Sequence, residues 1–373
     1  MRVIVVVPSY NEKENIGKFI DALEEVFKKR SHIDFQILVV DGNSPDGTGE
    51  VVLQKAKVFP NVQLLLEKEK AGIGAAYLYG FDYAQKNLAP DVLLEIDADF
   101  QHNPEDVVRL TDEIENGYDY VIASRFVKGG TIPKDWQFYR KFLSRGGNLF
   151  SKIVLGILEV NDFTSGFKAA RVKGFVDKID LDSVMSKSFA YKIDLLFKMH
   201  KLGAKFKEIP VDFGLRDRGN SKMERNNFAD SLRVVLTLRY NENQNFFKFL
   251  IVGVAGLFVD STLFNILRLV PEIGSSFSAI ISGGLAMLTT FLLNNFWSFD
   301  DRKLGSGQKK ITAALLYFAS STIPILVRSQ IVHYFTFWFG DTFIISNIAF
   351  VIGVIFGLVW NFTVYSKIIW KKH

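Results

Sequence analysis

The chain has 373 residues, a formal net charge of +5 and no cysteine. Its length predicts two or more structural units, and the lack of thiols excludes disulfides, thiolate catalysis and cysteine-ligated zinc. Five scattered histidines argue against a histidine-rich metal site, and the lysines and arginines form no long basic tract of the kind that binds nucleic acid. Residues 246–370 contain long apolar runs with few charges, whereas residues 1–225 have an ordinary mixture. We therefore expect a membrane half at the carboxyl end.

Strands and helices are predicted to alternate along the first hundred residues. The predicted strands are 2–7, 35–40, 62–67 and 92–96, and the predicted helices between them are 15–29, 49–58 and 74–86. This alternation is typical of a parallel, doubly wound sheet. The first apolar run is too short for a signal peptide, so we expect it to be the first strand of a cytoplasmic domain.

Two carboxylates and an amide follow the fourth predicted strand, at Asp97, Asp99 and Gln101. Ligands of open α/β sheets bind at the carboxyl ends of the strands. Oxygen ligands suit Mg²⁺ or Mn²⁺, which can hold a diphosphate and neutralise its charge as it departs. Taken alone, the acidic pair would fit a helix cap or a solvated turn equally well. The cluster suggests a metal site for nucleotide-sugar chemistry.

Three connecting segments are expected at the same edge of the sheet, at 8–12, 41–48 and 70–76. Asp41 can accept hydrogen bonds from a base or a ribose, and the glycines of the third segment would let the backbone approach a ligand closely. Each segment is also a good turn or helix start. Their co-occurrence on one edge favours a shared nucleotide site.

Basic and aromatic residues are interleaved between positions 125 and 145. The cationic ones are Arg125, Lys128, Lys134, Arg140, Lys141 and Arg145. Arginine offers a paired fork geometry to a phosphate. Such a mixture fits single-stranded nucleic acid or a membrane interface that holds a lipid phosphate. The later apolar segments favour the lipid, and we expect no nucleic-acid partner.

An amphipathic helix with basic residues is predicted at 227–240, either at the membrane interface or packed as an ordinary surface helix. Four apolar segments follow, each long enough to cross a bilayer. They are 246–270, 277–299, 311–339 and 343–369. Positive charge gathers between the second and third segments and after the fourth. The positive-inside rule then predicts a multi-pass protein of the cell membrane with its catalytic domain and both termini in the cytoplasm.

Four polar residues lie in or near these apolar spans, at Asp260, Asn294, Asn295 and Arg328. Polar residues at such positions are candidates for function by default, although hydrogen bonding between helices explains them equally well. The sequence does not decide whether this half moves lipid or only anchors the enzyme. A homo-oligomer formed through it is possible.

Seven ordered motifs make residues 1–225 resemble the family 2 glycosyltransferases of GT-A type, and among them the dolichyl-phosphate mannose synthase family. The motifs are PSYNEKEN (8–15), SPDGT (44–48), DADFQH (97–102), SRFVKGG (124–130), WQFYRKFLSRG (136–146), DFTSGF (162–167) and RDRGNSK (216–222). The carboxyl half resembles the GtrA-like membrane domain in KFLIVG (248–253) and LNNFWSF (293–299).

The resemblance implies an α/β, Rossmann-like GT-A catalytic domain at 1–226, a juxtamembrane interfacial helix at 227–245 and an all-α domain of four transmembrane helices at 246–373. It also implies the residues of the site. Those expected to bind the nucleotide sugar are Pro8, Tyr10, Glu12, Val40, Asp41, Gly72, Asp97, Ala98, Asp99, Gln101, Arg216 and Lys222. The expected metal ligands are Asp97, Asp99 and Gln101, and the expected acceptor-phosphate residues are Arg125, Arg140 and Ser144. The same three metal ligands and Arg125 are the expected catalytic residues.

The activity implied is transfer of mannose from GDP-mannose to dolichyl phosphate with inversion, dependent on Mg²⁺ or Mn²⁺. The segment 137–141 half resembles the Gln-x-x-Arg-Trp signature of processive synthases, but Lys141 replaces the tryptophan, which favours transfer of a single sugar. The family usually has a second acidic residue where this chain has Gly42, so the choice between GDP and UDP stays open. The alternatives are UDP-glucose as donor, an undecaprenyl acceptor, or a lipid carrier with a regulatory nucleotide-binding domain.

Overall fold

The computed structural model describes residues 1–133, 135–214, 226–267, 269–270, 275–304, 308–340 and 342–371. The chain divides into two compact units, Met1–Arg239 and Tyr240–His373. The predicted boundaries after residues 226 and 245 separate a catalytic domain, an interfacial helix and a membrane domain, and they stay predictions.

A mixed β-sheet forms the centre of the first unit. Its strands are β1 (Arg2–Ser9), β2 (Asp34–Asp41), β3 (Val62–Leu66), β4 (Val92–Glu95), β5 (Tyr120–Ser124), β6 (Lys168–Arg171) and β7 (Phe206–Pro210). They lie in the order β3-β2-β1-β4-β6-β5-β7. The first four strands are parallel, as the alternation of elements predicts.

The strand β6 departs from the predicted all-parallel sheet. It pairs antiparallel with both β4 and β5, while β5 and β7 are parallel to each other. Its sequence, Lys-Ala-Ala-Arg, lacks the run of large apolar side chains from which the other buried strands are predicted. The mixed sheet retains the α/β fold class that was expected.

Helices cover both faces of the sheet. They are α1 (Lys13–Phe27), α2 (Thr48–Val58), α3 (Ile73–Asn87), α4 (Asp106–Glu115), α5 (Phe138–Leu155), α6 (Tyr191–Lys201) and α7 (Asn226–Glu242). Alternate residues of β1 point to opposite cores: Ile4 and Val6 pack with α3 and α6, whereas Val5 packs with α1 and α4. Burial on both faces explains the uninterrupted apolar run of β1.

Four long helices form the second unit within the described residues, at the places where apolar segments are predicted. They are α8 (Gln244–Leu267), α9 (Ser275–Leu293), α10 (Gln308–Phe339) and α11 (Phe343–Val364). In the part of the chain that the structure describes, α8 is the one helix long and apolar enough to cross a bilayer by itself, and Ile311–Pro324 and Ile355–Ile369 are shorter apolar helices.

Two π-helical turns, Asn294–Ser298 and Tyr365–Ile369, follow α9 and α11. Asn295 Oδ1 accepts hydrogen bonds from the Leu304 backbone N–H at 2.9 Å and from Trp370 Nε1 at 3.0 Å. Asn295 is thereby a structural residue that closes this end of the unit.

The other polar residues of the apolar spans have different surroundings. Asp260 Oδ1 accepts a 2.6 Å hydrogen bond from Ser282 Oγ, so it links α8 to α9. Asn294 Nδ2 donates a long hydrogen bond of 3.4 Å to the Tyr317 hydroxyl. The side chain of Arg328 lies outside the described part of the structure.

Candidate active site

A cavity of about 600 Å³ opens at the carboxyl edge of β1, β2 and β4. A cleft of this volume suits a ligand of nucleotide size. Its walls come from the loops after these strands, the start of α3, the segment before α6 and the start of α7. The residues that line it include Pro8, Tyr10, Glu12, Gly42, Glu67, Lys70, Gly72, Asp97, Ala98, Asp99, Lys187, Asn227 and Asp230.

The acidic loop after β4 lies at the floor of this cavity. Asp97 Oδ1 accepts a 2.8 Å hydrogen bond from the Tyr77 hydroxyl, and Asp99 Oδ1 accepts a 3.1 Å bond from the Gln101 backbone N–H. Burial, and next the charge of Asp97, raise the pKa of Tyr77, so its hydroxyl stays protonated and donates. The sequence did not point to Tyr77, because an apolar helix face predicts only packing.

Gln101, the third predicted metal ligand, stands apart from the acidic pair. Its side-chain amide donates a 3.3 Å hydrogen bond to the Gly214 carbonyl, and it is not among the residues that line the cavity. Within the described residues, no group of three or more histidine, cysteine, aspartate or glutamate side chains could hold a metal ion. Mg²⁺ is commonly held by one or two carboxylates together with substrate phosphates. Asp97 and Asp99 therefore fit a metal site that the bound diphosphate completes.

Seven of the predicted nucleotide-binding residues line the cavity, and Val40 and Asp41 do not; the seven are Pro8, Tyr10, Glu12, Gly72, Asp97, Ala98 and Asp99. Val40 and Asp41 are both buried in the structure. The Asp41 carboxylate accepts hydrogen bonds from Ser9 Oγ at 2.9 Å and from Ser44 N at 2.8 Å. In this state Asp41 holds two loops together, and its assignment to the nucleoside stays a prediction.

Position 72 requires a glycine, because the backbone of the segment before α6 comes very close to it. Its φ is +116°, a region that other residues rarely adopt, and a Cβ there would lie 2.5 Å from the Lys187 carbonyl oxygen. The same carbonyl accepts a 3.1 Å hydrogen bond from the Ala75 backbone N–H. The glycine thus lets the segment before α6 close over the start of α3, and this packing forms one wall of the cavity.

A buried polar cluster lies beneath the acidic loop. Glu95 Oε2 accepts a 2.6 Å hydrogen bond from the Tyr191 hydroxyl. Burial raises the pKa of Glu95, while the neighbouring Lys168 opposes this rise. Burial lowers the pKa of Lys168 to about 8, and its Nζ has no hydrogen-bond partner among the described residues. Sequence periodicity could not find this cluster, because its members come from three separate strands and helices.

His102, the last residue of the acidic motif, is also fully enclosed. Its ring packs edge-on against Phe167 and Phe213, with ring centroids 5.1 Å and 4.9 Å apart. Burial is the main cause that lowers the pKa of His102 to about 3, so the imidazole is neutral at physiological pH. His102 therefore supports the loop through packing.

The predicted acceptor residues lie outside the cavity lining. Arg125 donates from Nε and Nη2 to the Asp162 carboxylate, at 2.8 Å and 2.7 Å, and Nη2 also donates to Thr164 Oγ1 at 2.9 Å. The Arg140 guanidinium lies 3.8 Å from the centre of the Trp136 ring. Ser144 is half-buried in α5. Their shared role at a phosphate stays a prediction.

Some predicted residues lie outside the described part of the chain. Arg216 and Lys222 belong to the segment 215–225, which the structure does not describe. Lys134, shortly before α5, is not described either.

One side of α5 carries large apolar side chains that face away from the protein. Phe138 is 83% exposed, Phe142 64%, Leu149 58% and Ile153 65%. These positions follow the helical repeat, so their side chains share one face. Large apolar groups on one exposed face are typical of an interaction surface.

Two family patterns match the chain. Residues 4–177 match glycosyl transferase family 2, and residues 248–370 match the GtrA/DPMS transmembrane domain. The dolichol-phosphate mannosyltransferase of Pyrococcus furiosus is 31% identical over 376 residues, which cover 99% of each chain. The polyprenol monophosphomannose synthase of Mycolicibacterium smegmatis is 38% identical over 232 residues, which cover 62% of this chain and 84% of the relative.

Among solved structures, glucosyl-3-phosphoglycerate synthase from Mycobacterium tuberculosis, in complex with Mn²⁺, uridine diphosphate and glucosyl-3-phosphoglycerate, has a TM-score of 0.45 and 18% identity. The match covers 64% of this chain and 79% of that one.

The full-length relative and both family matches confirm the predicted resemblance and the two-part fold class. The chain therefore belongs to the dolichol-phosphate mannosyltransferase family: it is a family 2 glycosyltransferase that continues into a GtrA/DPMS transmembrane domain.

Proposed function

We propose that this enzyme transfers mannose from GDP-mannose to the phosphate of dolichyl phosphate or a related polyprenyl phosphate at the cytoplasmic face of the membrane. The main observation in favour is that one cavity brings Tyr10 and Glu12, from the loop after β1, together with Asp97 and Asp99, from the loop after β4. A nucleoside diphosphate sugar needs this combination, with aromatic and polar groups for the nucleoside and carboxylates for a cation on the diphosphate. The named activity of the full-length relative supports the same sugar and the same class of acceptor.

Asp97 and Asp99 are the residues that would hold Mg²⁺ or Mn²⁺, and Gln101, whose side-chain amide bonds to the Gly214 carbonyl, stays a predicted third ligand. A bound cation would offset the negative charge that grows on the leaving diphosphate. The hydrogen bond from Tyr77 fixes the orientation of Asp97 before the donor arrives. Such preorganisation lowers the cost of arranging charges during the reaction.

For the acceptor, we propose that Arg125 and Arg140 bind the phosphate together with Ser144. Asp162 holds two nitrogens of the Arg125 guanidinium in a fixed plane. The exposed apolar side of α5 would lie against lipid, close in sequence to these residues, which supports an acceptor that arrives from a membrane.

The reaction needs no strong general base. An acceptor phosphate oxygen is already an anion near neutral pH, so it can attack the anomeric carbon directly. The new bond forms between this oxygen and the anomeric carbon, and the bond from that carbon to the β-phosphate oxygen breaks. GDP leaves with the electron pair, and the configuration at the carbon inverts. The chain then contributes mainly positioning and charge stabilisation.

The activity is tested with the purified full-length protein in lipid nanodiscs, a polyprenyl phosphate and either Mg²⁺ or Mn²⁺. Radiolabelled GDP-mannose and UDP-glucose are supplied in parallel. We expect labelled lipid from GDP-mannose and loss of it when the metal is chelated. Labelled lipid from UDP-glucose alone would overturn the proposed donor, and no labelled lipid from either would favour a carrier with a regulatory domain.

The orientation in the membrane has a separate test. Because the native chain has no cysteine, single cysteines can be introduced without a background of reactive thiols. Lys303→Cys lies on the side that the positive-inside rule assigns to the cytoplasm, and Gly340→Cys on the opposite side. In intact cells, we expect a membrane-impermeant maleimide to label the second variant and not the first. The reverse pattern would invert the proposed topology.

A further inference from the structure

Glu67 follows β3 and lines the donor cavity, although no motif of the sequence points to it. Its carboxylate has no hydrogen-bond or ion-pair partner among the described residues, and its backbone N–H donates a 2.9 Å hydrogen bond to the Asp41 carbonyl. The carboxylate is half-buried, and burial followed by the charge of Asp41 raises the pKa of Glu67. Desolvation of this kind is relieved when a ligand donates hydrogen bonds to the carboxylate.

Gly42 gives this carboxylate its access to the cavity. A Cβ at Gly42 would lie 3.4 Å from Glu67 Oε2 and 3.2 Å from Cδ2 of the Tyr10 ring. The position of the missing side chain is therefore the space between an aromatic ring and a carboxylate. A larger residue at 42 would fill it.

Asp41 cannot serve this space in the observed state. Its oxygens are taken up by Ser9 and Ser44 and it is buried away from the cavity lining. The Lys70 ammonium lies 4.1 Å from the centre of the Tyr10 ring, so one face of this ring already carries a cation. The wall consequently combines an aromatic ring, a cation on one of its faces and one carboxylate acceptor at its side.

We propose that Glu67 selects the base of the donor, by accepting hydrogen bonds from the adjacent ring N–H and exocyclic amino group of guanine. This rests on the proposed function, since it concerns the nucleotide of that same donor.

Chemistry favours guanine over uracil at such an acceptor. Guanine presents two neighbouring N–H donors on one edge, which a carboxylate can bind in paired fashion. Uracil presents a single ring N–H between two carbonyl oxygens, and these repel a carboxylate. A site built to bind N–H groups discriminates strongly against a ligand that lacks them, because the site's polar group is then left unpaired.

The test measures binding of GDP and of UDP to the full-length protein by titration calorimetry in Mg²⁺. The wild-type protein should bind GDP more tightly than UDP. Glu67→Gln should weaken GDP binding by about tenfold and leave UDP binding within about threefold, because it removes a charged acceptor that only guanine uses. The matched control is Glu69→Gln. It changes the net charge by the same amount two residues further along the chain, and the Glu69 side chain does not line the cavity.

A second variant guards against a merely structural effect. Glu67→Asp keeps a carboxylate on a side chain that is one methylene shorter, and it should keep more of the GDP affinity than Glu67→Gln does. Equal losses for GDP and UDP in Glu67→Gln, or no loss for either, would overturn the proposal, as would a wild-type preference for UDP. If the wild-type protein transfers mannose from GDP-mannose while Glu67→Gln binds GDP normally, the role of Glu67 fails and the proposed function stands.

Discussion

Arg125 and Asp162 form a buried ion pair that joins the start of one predicted acceptor segment to a motif 37 residues later. The Asp162 side chain is fully buried, and the Arg125 side chain is 9% exposed. Breaking a buried pair costs far more than breaking a surface pair, because one charge remains in a poorly solvated place. The pair is thus a structural support as well as a part of the proposed acceptor site.

Asp162→Asn should destabilise the first unit by about 3 kcal/mol. Burial would raise the pKa of Asp162, but the charge and hydrogen bonds of Arg125 outweigh it and lower this pKa below its ordinary value of 3.8. A carboxyl group whose pKa is lower in the folded chain than in the unfolded chain stabilises the fold at pH values above its ordinary pKa. This stabilisation is lost as the pH falls through the lowered pKa.

Chemical unfolding at several pH values measures this difference. We expect the difference in unfolding free energy between wild type and Asp162→Asn to be largest at pH 7 and to become smaller below about pH 4. Asp82→Asn is the control, since Asp82 forms an exposed pair with Lys86, and such surface pairs add little to stability. Equal effects of the two substitutions would contradict the buried role of Asp162.

Asp99→Ala should leave the fold intact and remove nearly all transfer. Asp99 lines the cavity and is one of two carboxylates there that can hold a cation against the diphosphate. Initial rates with GDP-mannose and a polyprenyl phosphate, together with thermal unfolding of the apo-protein, give the two readouts. A variant that turns over at the wild-type rate would rule out this position as part of the site.

Tyr77→Phe should lower kcat by about tenfold, with little change in KM. The substitution removes the hydroxyl that orients Asp97, and a preorganised group contributes chiefly in the transition state. Tyr79→Phe, on the same helix, removes a hydroxyl from a side chain that is 42% exposed. We expect Tyr79→Phe to match wild type, and a similar loss in both variants would speak against a specific role for Tyr77.

Lys168→Met should change how stability depends on alkaline pH. Because burial lowers the pKa of Lys168 to about 8 from 10.5, the unfolded chain binds the proton more tightly than the folded one between these values. Stability that is due to Lys168 therefore rises as the pH rises from about 8 to about 10.5. Across this pH range, the unfolding free energy should rise less for Lys168→Met than for wild type. The difference between the two rises should be on the order of 3 kcal/mol. Parallel curves would show that Lys168 titrates normally.

Asn295→Ala should lower the unfolding temperature of the membrane domain in detergent by several degrees. The substitution leaves the Leu304 backbone N–H and Trp370 Nε1 without their acceptor, and each orphaned buried donor costs about 1–3 kcal/mol. Asn294→Ala is the neighbouring control, because it removes one long hydrogen bond to Tyr317. A larger effect from Asn294 would reverse the assignment of the structural residue.

The sequence by itself determined the order of strands and helices in the first hundred residues, the place of the acidic loop and the apolar helices of the carboxyl half. These features depend on local periodicity, because a buried parallel strand or a membrane helix needs a long apolar run wherever it lies. The antiparallel strand β6 escaped prediction for the same reason, since its four residues include no large apolar side chain.

Only the tertiary structure decided which side chains of that edge face the cavity. Asp41 reads as a ligand residue in the sequence, but a serine 32 residues earlier holds its carboxylate, while the unnoticed Glu67 lines the cavity. Arg125 reads as a free cation, yet its guanidinium is bound to Asp162. Hydrogen bonds and ion pairs form between residues far apart in the chain, so the orientation of a polar side chain follows from the folded packing and not from the spacing of residues.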